Sequence, residues 1–173
     1  LRHAGEIQAI PYTSLSRAQF TETFIDVATP FLSEDGVLAV PFLVDPIVLY
    51  WNKDILSTNG FSQPPQYWDQ MPTMVSTLPR KNANGQILVS AIPMGEYANV
   101  VNAKDILALL ILQAGGEITA YDNEKLVAAI AGSVGASFAA SEKALDFYTS
   151  FADPSRESSY TWNRSLPDSR LAF

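Results

Sequence analysis

Two short apolar runs, residues 37–44 and 47–51, dominate the pattern of hydrophobic and polar positions along the chain. Only Asp45 and Pro46 separate them. Runs of this length, rich in β-branched and aromatic residues and bounded by turn residues, predict buried strands. Because Pro41 and Pro46 have no amide hydrogen to give to a sheet, neither fits inside a central strand. We therefore expect the chain to leave one sheet near this point and to enter another with the second run.

Apolar residues at helical spacing predict helices over residues 14–28, 54–58, 67–78, 102–113 and 141–152. The helix over 102–113 has almost no polar face, so we expect it to be buried on most sides. Asn102 is its predicted cap, and Gly115-Gly116 ends it. The last helix should turn Leu145, Tyr148 and Phe151 inward.

Residues 87–93 form a further apolar run that is typical of a buried strand. Residues 94–99 then form the loop beyond its carboxyl end, and residues 81–85 form a polar turn before it. Residues 128–139 are rich in small side chains, which predicts another loop. The alternation of strands and helices predicts an α/β architecture.

Composition narrows the classes of protein that fit. The chain has 173 residues, 47% of them hydrophobic, which is enough for one ordinary domain or two incomplete ones. A net charge of −7 without a basic run makes nucleic acid and anionic membranes poor candidate partners, so we expect no nucleic acid to bind. There is no cysteine, and therefore no disulfide, thiolate metal site or cysteine nucleophile. No initiator Met or apolar leader opens the chain, and we expect it to be a piece of a longer protein, truncated at both ends.

Catalytic templates are mostly missing. The one histidine, His3, lies at the terminus, which leaves a serine-histidine-aspartate triad without a base. Neither a nucleophile elbow nor a glycine-rich nucleotide motif occurs. Asp45, Glu96 and Glu117 offer carboxylates for a glycosidase pair, whose spacing the sequence does not define. We therefore expect no enzyme, no cofactor and no metal.

Polar and aromatic residues near predicted strand ends remain as candidates for ligand binding. Asp45 suits hydrogen bonds from a polyol, or alternatively a turn with Pro46. The loop with Glu96, Tyr97 and Asn99 lies between a buried strand and a buried helix, where open α/β sheets bind ligands.

Each of the remaining candidates also has a structural interpretation. The loop over residues 96–99 fits a solvated connection in which Asn99 or Asn102 caps the next helix. Trp162, in a polar loop, suits stacking on the apolar face of a sugar, or packing in a core.

Four motifs also follow one another along the chain. They are residues 37–54, VLAVPFLVDPIVLYWNKD; residues 64–69, PPQYWD, with Tyr67 where Thr is usual; residues 113–116, QAGG; and residues 144–148, ALDFY. Together they resemble family 1 extracellular solute-binding proteins, the maltose-binding-protein-like receptors of ABC importers. The resemblance covers residues 37 to about 173.

The resemblance implies a periplasmic binding protein-like type II fold of two α/β lobes. Residues 1–42 would belong to the amino-terminal lobe, residues 43–47 to the crossover and residues 48–173 to the carboxyl-terminal lobe. It also implies that Asp45 accepts a hydrogen bond from a sugar hydroxyl. Glu96, Tyr97 and Asn99 would supply further contacts, and Trp162 matches the family more loosely.

The implied function is a receptor that captures a carbohydrate, or a similar small polar solute, by lobe closure and delivers it to ABC permease subunits. It would act as a monomer outside the cytoplasm, in the periplasm or on the outer face of the cell membrane. Its contact with the membrane would be a lipid anchor outside this piece. A carbohydrate-active enzyme and a non-transport binding or adhesion module on the same fold remain open as alternatives.

Overall fold

The computed structural model describes residues 5–123, 125–130 and 137–173. His3, and residues 131–136 of the predicted small-residue loop, lie outside this part of the chain. The chain divides into two compact units, Leu1–Pro46 and Ile47–Phe173. The division falls within the predicted crossover, residues 43–47. The two-lobed type II fold itself stays a prediction.

The regular secondary structure of the described residues consists of helices and two small antiparallel hairpins. The helices are α1 Arg17–Thr23, α2 Lys53–Thr58, α3 Met71–Thr77, α4 Ala103–Gln113, α5 Ser137–Ser150 and α6 Ser169–Ala172. The strands are β1 Arg80–Lys81, β2 Ile87–Val89, β3 Thr119–Asp122 and β4 Lys125–Ala128. β1 pairs with β2, and β3 with β4. Short 3-10 helices cover Asp26–Phe31 and Trp68–Gln70.

The first unit is built around Phe20, which packs with Ala28 and Val37. α1 begins at a capping box, in which the Ser16 hydroxyl accepts from the Gln19 amide at 3.2 Å and the Gln19 side chain accepts from the Ser16 amide at 3.0 Å. It is shorter than the predicted helix over 14–28, because the chain changes to 3-10 geometry after Thr23. The small core therefore rests on one α-helical face.

The two strands predicted over 37–44 and 47–51 are absent from the described residues, so this prediction is wrong here. Val37 alone forms β-bridges, to Ile10 and Leu32. Residues 42–50, which we call the 42–50 segment, have irregular backbone and are all exposed, with Phe42 98% exposed. A strand is stabilised by a neighbour that completes its hydrogen bonds, and the described chain supplies none for this segment.

The second unit contains the larger core. α4 packs against α5, and the residues buried between and around them are Met71, Val75, Met94, Val100, Ala103, Leu110, Ile111, Ala144, Tyr148, Phe151 and Trp162. The loop after α5 turns back over this core, since the amides of Thr161 and Trp162 both donate to the Phe151 carbonyl, at 2.9 and 3.0 Å. This return brings residues 160–169 beside the loop that precedes α4.

Most helix predictions in this unit are confirmed, and several details are wrong. α5 starts earlier than predicted, and its Leu145 is half exposed while Tyr148 and Phe151 are buried as expected. α4 ends before Gly115 as predicted, yet Leu112 and several of its neighbours are partly exposed because α5 covers one side. Asn102 has a left-handed backbone, with φ 34°, and its side chain makes no cap.

Candidate functional site

Two loops of the second unit hold four of the five predicted ligand residues. We call residues 94–102 and residues 160–169 the paired loops. Asn99 joins them, because its Nδ2 donates to the carbonyls of Asn163 at 3.0 Å and Leu166 at 2.9 Å. Its Oδ1 accepts from Trp162 Nε1 at 3.0 Å. Both donor hydrogens of the Asn99 amide are therefore used within the protein, and Asn99 does not cap α4.

Ser169, the first residue of α6, adds two further links between the paired loops. Its amide donates to the Asn99 carbonyl at 2.9 Å, and its hydroxyl accepts from the Val101 amide at 3.0 Å. Together with the three bonds of the Asn99 side chain, these links fix the backbone on both sides of Val100. Asn99 and Ser169 thus contribute five hydrogen bonds between the paired loops, all between residues far apart in sequence.

Trp162 lies in the core and not at a ligand surface. Its side chain is 1% exposed, and its only polar atom is engaged by Asn99. Of the two interpretations that the sequence leaves open, packing is the one observed, and the prediction that Trp162 stacks on a sugar is corrected. A buried Trp whose N–H finds a partner is a stabilising element of a core.

Glu96 carries an ion pair across the paired loops. Its Oε2 accepts from Arg164 Nε at 2.7 Å, and this hydrogen bond and the carboxylate charge raise the pKa of Arg164. The Glu96 carbonyl accepts from the Tyr148 hydroxyl at 2.7 Å, which ties the loop to α5. Glu96 is therefore fixed at both its backbone and its side chain.

Tyr97 is the exposed member among the predicted ligand residues of the paired loops. Its side chain is 79% exposed. The neighbouring residues Glu96 and Asn99 are fixed by their bonds to the second of the paired loops and to α5. Because the neighbouring residues fix the backbone, little backbone ordering is needed for this exposed ring to bind a ligand. The contact of Tyr97 with a solute stays a prediction.

Asp45 belongs to the exposed 42–50 segment of the chain. Its carboxylate makes no hydrogen bond or ion pair within the described residues, and no turn forms at Asp45-Pro46. The carboxylate is open to solvent or to a partner, and its contact with a sugar hydroxyl stays a prediction.

A groove that the sequence analysis missed lies elsewhere on the second unit. It has a volume of about 480 Å³ and is lined by Val75, Ser76, Pro79, Lys81, Glu157, Ser158 and Tyr160. Lys81 Nζ lies over the Tyr160 ring, 4.8 Å from its centroid. Residues so far apart in sequence give no local pattern that would predict a groove. The sequence shows only a polar turn over residues 81–85 and Tyr160 as an aromatic residue in a polar loop.

Comparisons with known proteins found no matching family model, no matching curated protein and no matching solved structure. Within the described ranges, no group of three or more histidine, aspartate and glutamate side chains is arranged to hold a metal ion. None of the helices in the described part of the chain has the length and apolar character needed to cross a bilayer.

Proposed function

We propose that the chain is part of an extracytoplasmic solute-binding receptor, which captures a carbohydrate or a similar small polar solute for ABC import. The four ordered motifs support this class of protein through their resemblance to family 1 solute-binding proteins. The observation that carries the proposal is the exposed ring of Tyr97 on a loop with fixed neighbours. Capture by lobe closure and release to a permease are the mechanism that the resemblance implies.

The chemistry of the Tyr97 loop suits a sugar. A pyranose ring has an apolar face of C–H groups and a rim of hydroxyls, and an aromatic ring with a polar tip complements both. The Glu96 carboxylate and the Arg164 guanidinium lie on the same pair of loops and supply an acceptor and donors. Asp45 is proposed as a further hydroxyl acceptor on the resemblance alone.

The test is a binding screen of the 173-residue chain against neutral mono- and oligosaccharides, read by amide NMR shifts and calorimetry. Tyr97→Ala should weaken the binding of an active sugar about three- to tenfold, because it removes one stacking contact. Tyr121→Ala is the matched control, since Tyr121 is also exposed, at 60%, and lies in the β3–β4 hairpin.

Two results would contradict the proposal. One is the absence of any shift or heat with the whole panel, and the other is an equal loss of affinity in both tyrosine variants. Turnover of an oligosaccharide during the same titrations would favour the carbohydrate-active enzyme instead.

A further inference from the structure

We propose that the groove beside Lys81 and Tyr160, which we call the Lys81 groove, binds a small monoanionic carboxylate that also carries hydroxyl groups, such as a hexuronate. This goes beyond the proposed function, which concerns a neutral solute at Tyr97. The groove volume of about 480 Å³ lies within the range of small-molecule sites.

The cation of the groove is available to a ligand. Lys81 Nζ is held over the Tyr160 ring, 4.8 Å from the centroid, and forms no ion pair with a carboxylate among the residues that the structure describes. A ring face attracts the ammonium group without neutralising it. The ammonium hydrogens therefore remain able to donate to a carboxylate in the groove.

Both walls of the groove belong to one connected structure. Lys81 lies on β1, which pairs with β2. Just beyond β2, the Ala91 amide donates to Thr161 Oγ1 at 2.7 Å, and Thr161 is fully buried. The hydroxyl of the adjacent Tyr160 accepts from Asn163 Nδ2 at 2.8 Å. The Tyr160 ring and the backbone that carries Lys81 are therefore positioned before a ligand arrives, which lowers the entropic cost of binding.

The remaining lining residues select the ligand. Glu157 accepts hydrogen bonds from ligand hydroxyls and repels negative charge, so it opposes phosphate and dicarboxylates more strongly than a ligand with a single carboxylate. Ser158 has a hydroxyl with no hydrogen bond in the described chain, and it can donate to the ligand. Ser76 already donates to the Thr73 carbonyl at 2.8 Å, so its oxygen is left as an acceptor. The set fits one carboxylate surrounded by hydroxyls.

The experiment compares D-glucuronate with D-glucose, which has the same ring and no carboxylate, in NMR titrations of the full chain. Glucuronate should shift the amides of residues 80–82 and 157–161, with an affinity at least about tenfold higher than that of glucose at those positions. Lys81→Met should lower the glucuronate affinity about tenfold, and added salt should lower it in the parent chain.

Lys53→Met is the matched control, because Lys53 also lies over an aromatic ring, 5.8 Å from the centroid of Trp51, and does not line the groove. It should leave glucuronate binding unchanged. Equal affinity for the two sugars, no effect of Lys81→Met, or the same loss in Lys53→Met would overturn the proposal. Failure of the neutral-sugar test at Tyr97 leaves this result unaffected, so the two proposals can fail separately.

Discussion

Tyr148 connects the core of the second unit to the loop that carries Tyr97. Its hydroxyl donates to the Glu96 carbonyl at 2.7 Å, and its side chain is buried among the residues of α4 and α5. Burial, with a smaller contribution from the nearby Glu96 carboxylate, raises the pKa of Tyr148 to about 12. The neutral phenol is therefore the form that the fold requires.

Alkaline pH should destabilise the second unit through this phenol. The pKa of tyrosine is about 10 in an unfolded chain, and the folded value is higher, so the contribution is present below pH 10 and is lost as the pH rises toward 12. The free energy of unfolding, measured by urea titration at stepped pH, should fall by at most about 2–3 kcal/mol from this group.

The variant Tyr148→Phe isolates the effect of the phenol. It should be about 1 kcal/mol less stable at neutral pH, because it lacks the hydrogen bond to Glu96, and its stability should change less between pH 10 and 12. Tyr97→Phe, at an exposed tyrosine, should behave like the parent chain. An identical alkaline slope in Tyr148→Phe would assign the destabilisation to other groups.

At the scale of elements, Gly95 sets how closely the loop before α4 approaches the end of α5. Its φ is 97°, and a Cβ at this position would lie 2.6 Å from both the Cβ and the amide nitrogen of Ala152. Gly60, which ends the region of α2, has a similar φ of 86° and no atom within 4 Å of such a Cβ. The two glycines thus separate backbone strain from steric clash.

Gly95→Ala should therefore cost more stability than Gly60→Ala. The left-handed backbone alone costs about 1–2 kcal/mol in either variant, and the clash with Ala152 adds about 1–3 kcal/mol at Gly95. Urea unfolding of the two variants beside the parent chain measures the difference. Equal losses would mean that the loop moves away from α5 without cost.

Elements with local signals were the predictable part of the fold. The predicted helix over 54–58 is found as α2, with Asn52 and Asn59 as its caps, and Pro72 is accommodated in the first turn of α3. These signals depend only on residues close together in sequence, so the sequence alone is enough to predict them. The burial of α4 and the strands over 37–51 depend on distant partners, and both predictions are wrong for that reason.

The candidate site divides in the same way. The position of the loop over 96–99, after a strand and before a helix, was predicted from the local pattern. Its fixation by Trp162 and Arg164 was not, because those partners are 63 and 68 positions further along the chain. The aromatic signal of Trp162 was correctly noticed and could not distinguish a core residue from a ligand contact.

For the whole molecule, the 42–50 segment is the long stretch of irregular, exposed backbone that matters most. It contains the junction of the two compact units, and its exposed large apolar residues are Phe42, Leu43, Val44, Ile47, Val48, Leu49 and Tyr50. Exposed irregular backbone is the preferred substrate of proteases. The same side chains are a liability for self-association in the isolated chain.

Limited digestion with chymotrypsin should therefore cut first after Phe42, Leu43, Leu49 or Tyr50, since this protease prefers large apolar and aromatic residues. Mass spectrometry of early time points identifies the first fragments. The buried Phe20 and Phe151 serve as internal controls and should be cut late. Early cleavage at either of them, ahead of the 42–50 segment, would show that the cores open more readily than the exposed backbone.

The long separation between the paired loops has a consequence during translation. Glu96 leaves the ribosome 68 residues before its partner Arg164, which corresponds to about 3–14 s at ordinary elongation rates of about 5–20 residues per second. Throughout that interval the nascent chain carries Tyr97 on a loop without Asn163, Leu166 or Ser169 to hold it. The surface proposed for sugar capture is therefore assembled late, after α4 and α5 have emerged.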